Sequence, residues 1–283
     1  LRYSGPIENL IVPVLEELEL RTIAKRIFGV SAAEKKASSQ MGLFEGSTSN
    51  AVTTSHDKKN IDTSPHNYKC LSTFKERKRL IETLDRLSEF CFDTETTSLS
   101  TLDAELVGLA ISYEKGTAFY VPFPEDRDTT QEIINEFKSI FENEKVTKIG
   151  QNLKYDMQVL RNYDIRVKGK IFDTMLAHYL IDPEQSHGMD ALAEAYLNYV
   201  PVSITKLIGP KGKSQKNMRA VPIEEITEYA GEDADITFQL KEKLAIEIDD
   251  RNLGKLLHEL EEPLSFVLAD MEYNGVSIDE MAL

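Results

Sequence analysis

Short apolar runs alternate with amphipathic stretches between residues 68 and 174, and this pattern predicts alternating strands and helices. The runs YKCLS, EFCFDTE, KVTKIGQ and KIFDTM predict single strands, and AELVGLAISYEKGTAFYVPF predicts a hairpin that turns at EKG. Helical spacing predicts helices over residues 74–87, over TTQEIINEFKSIFEN with a threonine cap, and over NLKYDMQVLRNY. We therefore predict an α/β fold, a mixed β-sheet flanked by helices.

Two longer helices are predicted downstream, at roughly 222–248 and 252–274. Gly231 lies in the middle of the first of them, where glycine costs about 1 kcal/mol relative to alanine. Either another group approaches the helix closely at this point, or the glycine has no role.

The composition changes twice upstream of the sheet. Residues 7–30 have helix-spaced apolar positions and are predicted to be helical. Residues 31–66 are rich in Ser, Thr, Asn and Lys and poor in large apolar residues, which predicts a flexible linker because burial there cannot offset chain entropy. The chain begins at Leu1 and stops after SIDEMAL, so we expect a fragment of a longer polypeptide.

Composition narrows the class of protein only in part. The chain has 283 residues, 41% of them hydrophobic, which is enough for one large or two small domains. The net charge of −15 argues weakly against a nucleic-acid partner, because local patches and bound cations matter more than the sum. Two cysteines, Cys70 and Cys91, make no disulfide framework and favour a reducing cytoplasm. No apolar run approaches the length of a membrane span, so no membrane partner is expected.

The segment EFCFDTETTSL places Asp93 and Glu95 directly behind the apolar run Phe90-Cys91-Phe92. Residues i and i+2 of a strand share a face, so the two carboxylates project together where the strand ends. The spacing itself is common, since DAE at 103–105 and DPE at 182–184 also match it. A solvated strand end is the alternative interpretation of this pair.

Two more polar pairs occur at helical spacing. Asn152 and Asp156 in NLKYD, like Tyr229 and Asp233 in YAGED, are four residues apart and share a helix face. Taken singly, each pair is better explained by a helix cap or an exposed acidic face. The ordered set of an acidic pair, N-x-x-x-D and Y-x-x-x-D is more demanding, and it indicates one common site.

This ordered set resembles the tyrosine-bearing subgroup of the DEDD exonuclease superfamily. FDTETTSL, LVGLAIS, GQNLKYD, FDTMLAHYL, MDALAEAYL and YAGEDADIT are similar to the proofreading domain of the bacterial DNA polymerase I family (family A). The resemblance implies a ribonuclease H-like sheet, with a 3′–5′ exonuclease domain over residues 67–250. It also implies the helical tail of a 5′-nuclease region at 1–30, and at 251–283 a helix that leads into a polymerase domain beyond this sequence.

The resemblance implies metal-dependent release of nucleotides from DNA 3′ ends, which proofreads for an attached polymerase in replication and repair. Two divalent cations, Mg²⁺ or Mn²⁺ with Zn²⁺ possible at one site, would be held by four carboxylates: Asp93, Glu95, Asp156 and Asp233. Without metal, these acids should raise one another's pKa values. Tyr229 would orient the attacking water through its hydroxyl, which does not act as a base at pH 7 because its reference pKa is about 10.

The resemblance also implies contacts with the DNA strand, but it identifies the residues that make them less specifically than it identifies the metal ligands. Leu99 matches an apolar wedge between the last two bases, and an ordinary core leucine is the alternative. Asn152 matches a residue near the terminal nucleotide. The loop 204–219 holds Lys211 and Lys213 among glycine and proline, which suits backbone phosphates but also a solvated mobile loop. Ser186 stands where the family often carries a basic residue, so one phosphate contact is expected to be missing.

The expected partners are a single-stranded or frayed DNA 3′ end and a polymerase domain of the same chain, in a monomer associated with the nucleoid. Three alternatives remain open at this point. The chain could be an RNA-trimming exonuclease of the same superfamily, a catalytically decayed structural domain of the polymerase, or a clamp that binds strands without shortening them.

Overall fold

One mixed sheet organises the part of the chain that the computed structural model describes, residues 58–210 and 215–278. Its strands are β1 (Asn67–Cys70), β2 (Glu89–Thr96), β3 (Leu106–Glu114), β4 (Thr117–Pro122), β5 (Thr147–Gly150) and β6 (Ile171–Asp173). They lie side by side in the order β1-β4-β3-β2-β5-β6. β2, β3 and β4 pair antiparallel, whereas β5 and β6 run parallel to β2, and β1 runs parallel to β4. The predicted mixed sheet is confirmed.

Helices connect these strands and follow the last of them. They are α1 (Phe74–Leu84), α2 (Arg127–Asn135), α3 (Lys138–Phe141), α4 (Leu153–Arg161), α5 (Thr174–Ile181), α6 (Met189–Leu192), α7 (Ile204–Ile208), α8 (Ile223–Asp250), α9 (Gly254–Leu256) and α10 (Glu262–Asn274). α6 and α9 each continue into a π-helical turn, at Ala193–Leu197 and Leu257–Glu261. Among the described residues, none of these helices has both the length and the apolar character needed to cross a bilayer.

The centre of the sheet is buried on both faces, which explains the continuous apolar runs of β2 and β3. Phe90 and Phe92 of β2 lie in a core shared with α1, α2, α4 and α10. Cys91 points the other way, into a second core built with α5 and α8. The apolar run of β2 is followed by a polar C-terminal half, which carries Asp93 and Glu95.

α8 crosses the second face of the sheet and approaches β1 closely at Gly231. A Cβ atom at this position would lie 2.8 Å from Cγ of Tyr68 on β1, a distance that real Cβ contacts essentially never show. The Tyr68 hydroxyl donates a hydrogen bond of 2.9 Å to Oδ2 of Asp235, one turn further along α8. Close approach, the first of the two interpretations of this glycine, is therefore the correct one.

We expect Gly231→Ala to lower the free energy of unfolding by about 1–3 kcal/mol, because Tyr68 must move to admit the new methyl group. Urea denaturation measures this change. Gly254→Ala is the control, since the nearest atom to a Cβ there is 3.7 Å away, and it should leave stability unchanged or raise it. Equal losses in the two variants would contradict the packing argument.

The described part of the predicted linker, residues 58–66, is held by hydrogen bonds. Residues 58–66 were assigned to the flexible linker, yet Lys59 exchanges backbone hydrogen bonds of 3.0 and 2.8 Å with Asn198 and Val200, and Asn60 and Thr63 form a capping box. Composition missed this order because its partners are backbone groups far along the chain. Residues 1–57 and 279–283, with the predicted N-terminal helix and most of the linker, lie outside the described residues.

Two helices also differ from their predictions in detail. Asp126, not a threonine, caps α2 by accepting a hydrogen bond of 2.8 Å from the backbone N–H of Thr129. That helix ends at Asn135, and α3 restarts at Lys138. The helix predicted over 252–274 is divided by the π-helical turn Leu257–Glu261, which directly precedes Glu262 and Pro263 at the start of α10.

Candidate active site

Three parallel strands, β2, β5 and β6, end at the same edge of the sheet, where the connections of α/β folds form binding sites. β2 brings Asp93 and Glu95 to this edge, and α4 begins there, just after β5. α8 passes over β2 and adds Asp233. Carboxylate oxygens of Asp93, Glu95 and Asp233 all lie within 4.8 Å of one another. The structure thus brings together three of the four predicted metal ligands.

Two oxygens in this cluster lack partners. Oε1 of Glu95 and Oδ1 of Asp233 are both buried without a hydrogen bond, and the side chain of Glu95 is only 7% exposed. An unpaired buried carboxylate oxygen is costly unless a donor or a cation satisfies it. The cluster therefore has the geometry and the unmet charge of a cation site.

Asp156, the fourth predicted ligand, lies beside the cluster of three. Its Oδ1 accepts hydrogen bonds from the backbone N–H and the hydroxyl of Thr94, at 3.0 and 2.5 Å. Thr94 stands between Asp93 and Glu95 on β2, so one strand both supplies two acids and orients a third. Thr94 was not predicted as a site residue, although its place in the D-T-E triplet is a visible signal.

The start of α4 is fixed by a residue that sequence analysis also missed. Asn152 stands at the N-cap with a left-handed backbone (φ 61°) and makes no side-chain cap. Asp173, at the end of β6, does the capping: its two oxygens accept from the N–H groups of Asn152 and Leu153 at 3.0 and 2.8 Å. Asn152 is thus exposed and free at the edge of the site. The signal for Asp173 was an acid directly behind a strand, in FDTM.

Tyr229 lies one helical turn before Asp233 and is partly buried beside it. Burial and the charges of Asp233 and Glu95 raise the pKa of its hydroxyl above the ordinary value. The hydroxyl therefore stays protonated at neutral pH, where it can donate a hydrogen bond but cannot act as a base.

The loop between β2 and β3 presents Leu99, whose side chain is 92% exposed. The alternative of a core leucine is therefore wrong. Tyr155, directly before Asp156, donates a hydrogen bond of 2.5 Å to the carbonyl oxygen of Ser98 and so holds the base of this loop. Its hydroxyl also bonds to that of Thr96, at 2.5 Å. Sequence analysis gave Tyr155 no role, although it is part of the NLKYD motif.

The structure describes only part of the predicted basic loop 204–219. Lys211 and Lys213 lie outside the described residues. Arg219, in the same predicted loop, is used inside the fold, where it donates a hydrogen bond of 2.9 Å to the carbonyl oxygen of Leu106. His178 and His187 bond to each other through Nδ1 atoms 2.8 Å apart.

The electrostatics of the site follow from burial and crowding of like charges. Burial raises the pKa of Asp93 to about 6. Burial also raises the pKa values of Glu95, Asp156 and Asp233, and the negative charge of Asp93 adds to each of these shifts. A divalent cation would reverse this pattern, because it favours the ionised form of every acid. A donor set made only of carboxylate oxygens suits hard ions such as Mg²⁺ and Mn²⁺.

These pKa values predict that the metal-free protein loses stability as the pH rises. The pKa of Asp93 is about 6 in the folded protein against 3.8 ordinarily, so the folded state binds this proton more tightly than the unfolded state. The resulting stabilisation is complete below about pH 4 and is lost as the pH rises through about 6. In EDTA at pH 7.5, Asp93→Asn should raise the melting temperature by about 3–8 °C, because the amide is uncharged.

Mn²⁺ should reverse the order of the two melting temperatures, because it should raise that of the wild type more than that of Asp93→Asn. Asp126→Asn is the control. Asp126 is an exposed helix cap whose pKa is lowered by its hydrogen bonds to Thr129, so its amide variant should show no rise in EDTA. Scanning calorimetry at pH 5 and 7.5 measures all three proteins, and equal values for Asp93→Asn and the wild type in EDTA would contradict the prediction.

Most of this chain is similar in sequence to a known family and to known proteins. A family model described as 3′–5′ exonuclease matches residues 68–249. The chain is similar to DNA polymerase I of Borreliella burgdorferi, with 32% identity over 295 residues that cover 96% of this chain and 32% of that protein. It is 35% identical to DNA polymerase I of Pseudomonas aeruginosa over 212 residues, 70% of this chain and 23% of that protein. The chain thus spans about a third or less of these relatives.

Solved structures show the same fold. The POL domain of Pol1 from M. smegmatis, in complex with DNA primer-template and dNTP, superposes with a TM-score of 0.58 at 22% identity, covering 75% of this chain and 33% of that one. Brucella melitensis NrnC with bound Mg²⁺ gives a TM-score of 0.55 at 17% identity, covering 76% of this chain and 98% of that one. At such identities the likeness concerns the fold alone, and it confirms the predicted ribonuclease H-like architecture.

Proposed function

Because the chain belongs to the 3′–5′ exonuclease family of DNA polymerase I, we propose that its acidic site hydrolyses the terminal phosphodiester bond of a DNA strand. One observation supports the assignment of this activity to the acidic site. Asp93, Glu95 and Asp233 come from two separate elements and converge within 4.8 Å, and two of their buried oxygens have no partner. Such an arrangement is destabilising in a purely structural role and useful for binding cations.

Asp93, Glu95, Asp156 and Asp233 are the proposed ligands of two divalent cations, Mg²⁺ or Mn²⁺, with Zn²⁺ possible at one position. When bound, such ions activate water and stabilise charge on the leaving oxygen. Thr94 keeps Asp156 aimed at the site through two hydrogen bonds. The orphaned oxygens of Glu95 and Asp233 make these residues the best placed for direct coordination.

The remaining residues bind and orient. The Tyr229 hydroxyl, kept protonated by burial and by its acidic neighbours, donates a hydrogen bond that positions the attacking water. Leu99 is exposed in the loop that follows β2, the strand of Asp93 and Glu95, and its proposed role is to separate the last two bases. Asn152 is exposed at the start of α4 and contacts the terminal nucleotide. Lys211 and Lys213 stay proposed as phosphate contacts on their sequence alone.

The proposal extends to the rest of the polypeptide. The family match ends at residue 249, which supports an exonuclease domain over 67–250 and the start of a polymerase domain at 251–283. A 5′-nuclease tail at 1–30 and a linker from residue 31 complete the proposed organisation. The whole protein is a DNA-directed DNA polymerase that works as a monomer at a single-stranded or frayed 3′ end. Cys70 and Cys91 are both free thiols, in keeping with a cytoplasmic enzyme at the nucleoid.

The test uses one sequence synthesised as a deoxyribo- and a ribo-oligonucleotide, each labelled at its 5′ end. With Mn²⁺ we expect the DNA strand to shorten by single nucleotides from its 3′ end, and EDTA to stop the reaction. Faster digestion of the RNA strand would favour the RNA-trimming alternative. Binding without shortening, equal with and without EDTA, would indicate a structural clamp or a decayed domain.

A further inference from the structure

Gln158 connects two parts of the molecule that are distant in sequence. Its side chain, two residues after Asp156 on α4, is only 4% exposed. Its Nε2 donates a hydrogen bond of 2.6 Å to Oε2 of Glu272 on α10. Its Oε1 accepts one of 2.6 Å from the hydroxyl of Thr101, in the loop that carries Leu99. A single buried amide thus joins the C-terminal helix to that loop.

The chemistry of the partners fixes the direction of both bonds. An ionised carboxylate only accepts, so the amide nitrogen of Gln158 must face Glu272. Its carbonyl oxygen then faces the loop, and the Thr101 hydroxyl has to donate. Each group in this series of hydrogen bonds acts either as donor or as acceptor, as its neighbours determine. The loss of any one group therefore leaves a polar partner unpaired.

Both ends of the bridge are anchored. Glu272 also accepts a hydrogen bond of 2.5 Å from Nζ of Lys154, and about two turns further along α4 the guanidinium of Arg161 pairs with Asp270. On the loop side, Nδ2 of Asn162 donates a hydrogen bond of 2.7 Å to the carbonyl oxygen of Thr101. α10 and the loop are therefore both held against α4, the helix that carries Asp156.

We infer that Gln158 is a positioning residue for the exonuclease: by bridging Glu272 to Thr101, it sets where Leu99 stands relative to the acidic site. This inference rests on the proposed function, in which Leu99 meets the strand end. The consequence is mechanical. When α10 moves, the side chain of Gln158 transmits the movement to the loop that carries Leu99, and none of the four carboxylates is involved.

The test compares two substrates. One is a single-stranded deoxyoligonucleotide. The other is the p-nitrophenyl ester of thymidine 5′-monophosphate, which has a scissile phosphodiester but no second base for Leu99 to separate. We expect Gln158→Met and Thr101→Val each to lower kcat/KM for the oligonucleotide about fivefold to tenfold, and to change hydrolysis of the ester less than twofold. Glu272→Ala should show the same dependence on substrate.

The double variant Gln158→Met/Thr101→Val should lose no more than the worse single variant, because both changes break one bridge. Additive losses, or equal losses on both substrates, would overturn the inference. Thr101→Val only replaces a hydroxyl with a methyl group in a loop side chain, so the test survives if Gln158→Met fails to fold. Gln131→Met is the matched control: Gln131 also bridges two segments, through a hydrogen bond of 2.7 Å to the carbonyl oxygen of Tyr163, and should leave both substrates unaffected. A wild-type protein that hydrolyses neither substrate would instead refute the proposed function.

Discussion

Asp93→Asn is expected to lower kcat for nucleotide release from a single-stranded DNA 3′ end by about 10³-fold or more. Asp93 lies in the cluster of three carboxylates, and its charge raises the pKa values of Glu95, Asp156 and Asp233. Its removal takes away a proposed ligand whose charge acts on the other three acids. The amide has nearly the same shape, so the fold should persist. Digestion of a labelled oligonucleotide in Mn²⁺ measures the rate, and circular dichroism verifies the fold.

Asp182→Asn is the control for this experiment. Asp182 begins DPE, a second D-x-E triplet of the chain, but it follows α5 and belongs to no carboxylate cluster among the described residues. Its variant should digest DNA at the wild-type rate. Full activity in Asp93→Asn would remove the assignment of the site. Equal losses in both variants would show that the effect does not depend on the cluster.

Tyr229→Phe is expected to lower kcat by about 10- to 100-fold with little change in KM. The variant keeps the ring and removes only the hydroxyl that is proposed to orient the attacking water. Since the pKa of this hydroxyl is raised above its ordinary value, it is not titrated near neutral pH. Wild-type activity should therefore show no loss from this group between pH 7 and 9. Steady-state kinetics over that pH range measures both effects.

Tyr113→Phe provides the matched control, because Tyr113 stacks on Phe119 away from the acidic edge with ring centroids 5.6 Å apart. Its kinetics should equal those of the wild type. A rise in KM with unchanged kcat in Tyr229→Phe would assign this hydroxyl to strand binding. Unchanged kinetics would leave it without a role in the reaction.

Much of the fold could be predicted because its signals are local. The apolar runs of β2 and β3 and the turn at residues 115–116 are properties of adjacent residues, and the structure reproduces them. Order was missed where the contacts come from groups that are distant along the chain. Order in residues 58–66 depends on backbone bonds to Asn198 and Val200. The cap of α2 was misplaced within one turn: Asp126, upstream of the predicted threonine cap, accepts a hydrogen bond from the N–H of Thr129.

The residues of the candidate site also fall into two groups, those that local patterns predicted and those that they did not. Asp93, Glu95, Asp156, Asp233 and Tyr229 were found from spacing and resemblance, because each stands at a definite place in a strand or helix. Thr94, Tyr155 and Asp173 were missed, since their partners are side chains and backbone groups of other elements. Leu99 could be interpreted as core or as wedge until its exposure of 92% was known.

The sequence by itself determined the elements, the order of the acids and the family, because periodicity and motif spacing are written in neighbouring residues. Only the tertiary structure decided how the acids meet, since the parallel pairing of β2, β5 and β6 places their ends at one edge and α8 brings Asp233 across the sheet. It also revealed the bridge through Gln158, whose partners lie 57 and 114 residues away along the chain. Contacts over such separations depend on how elements pack, and no local pattern encodes them.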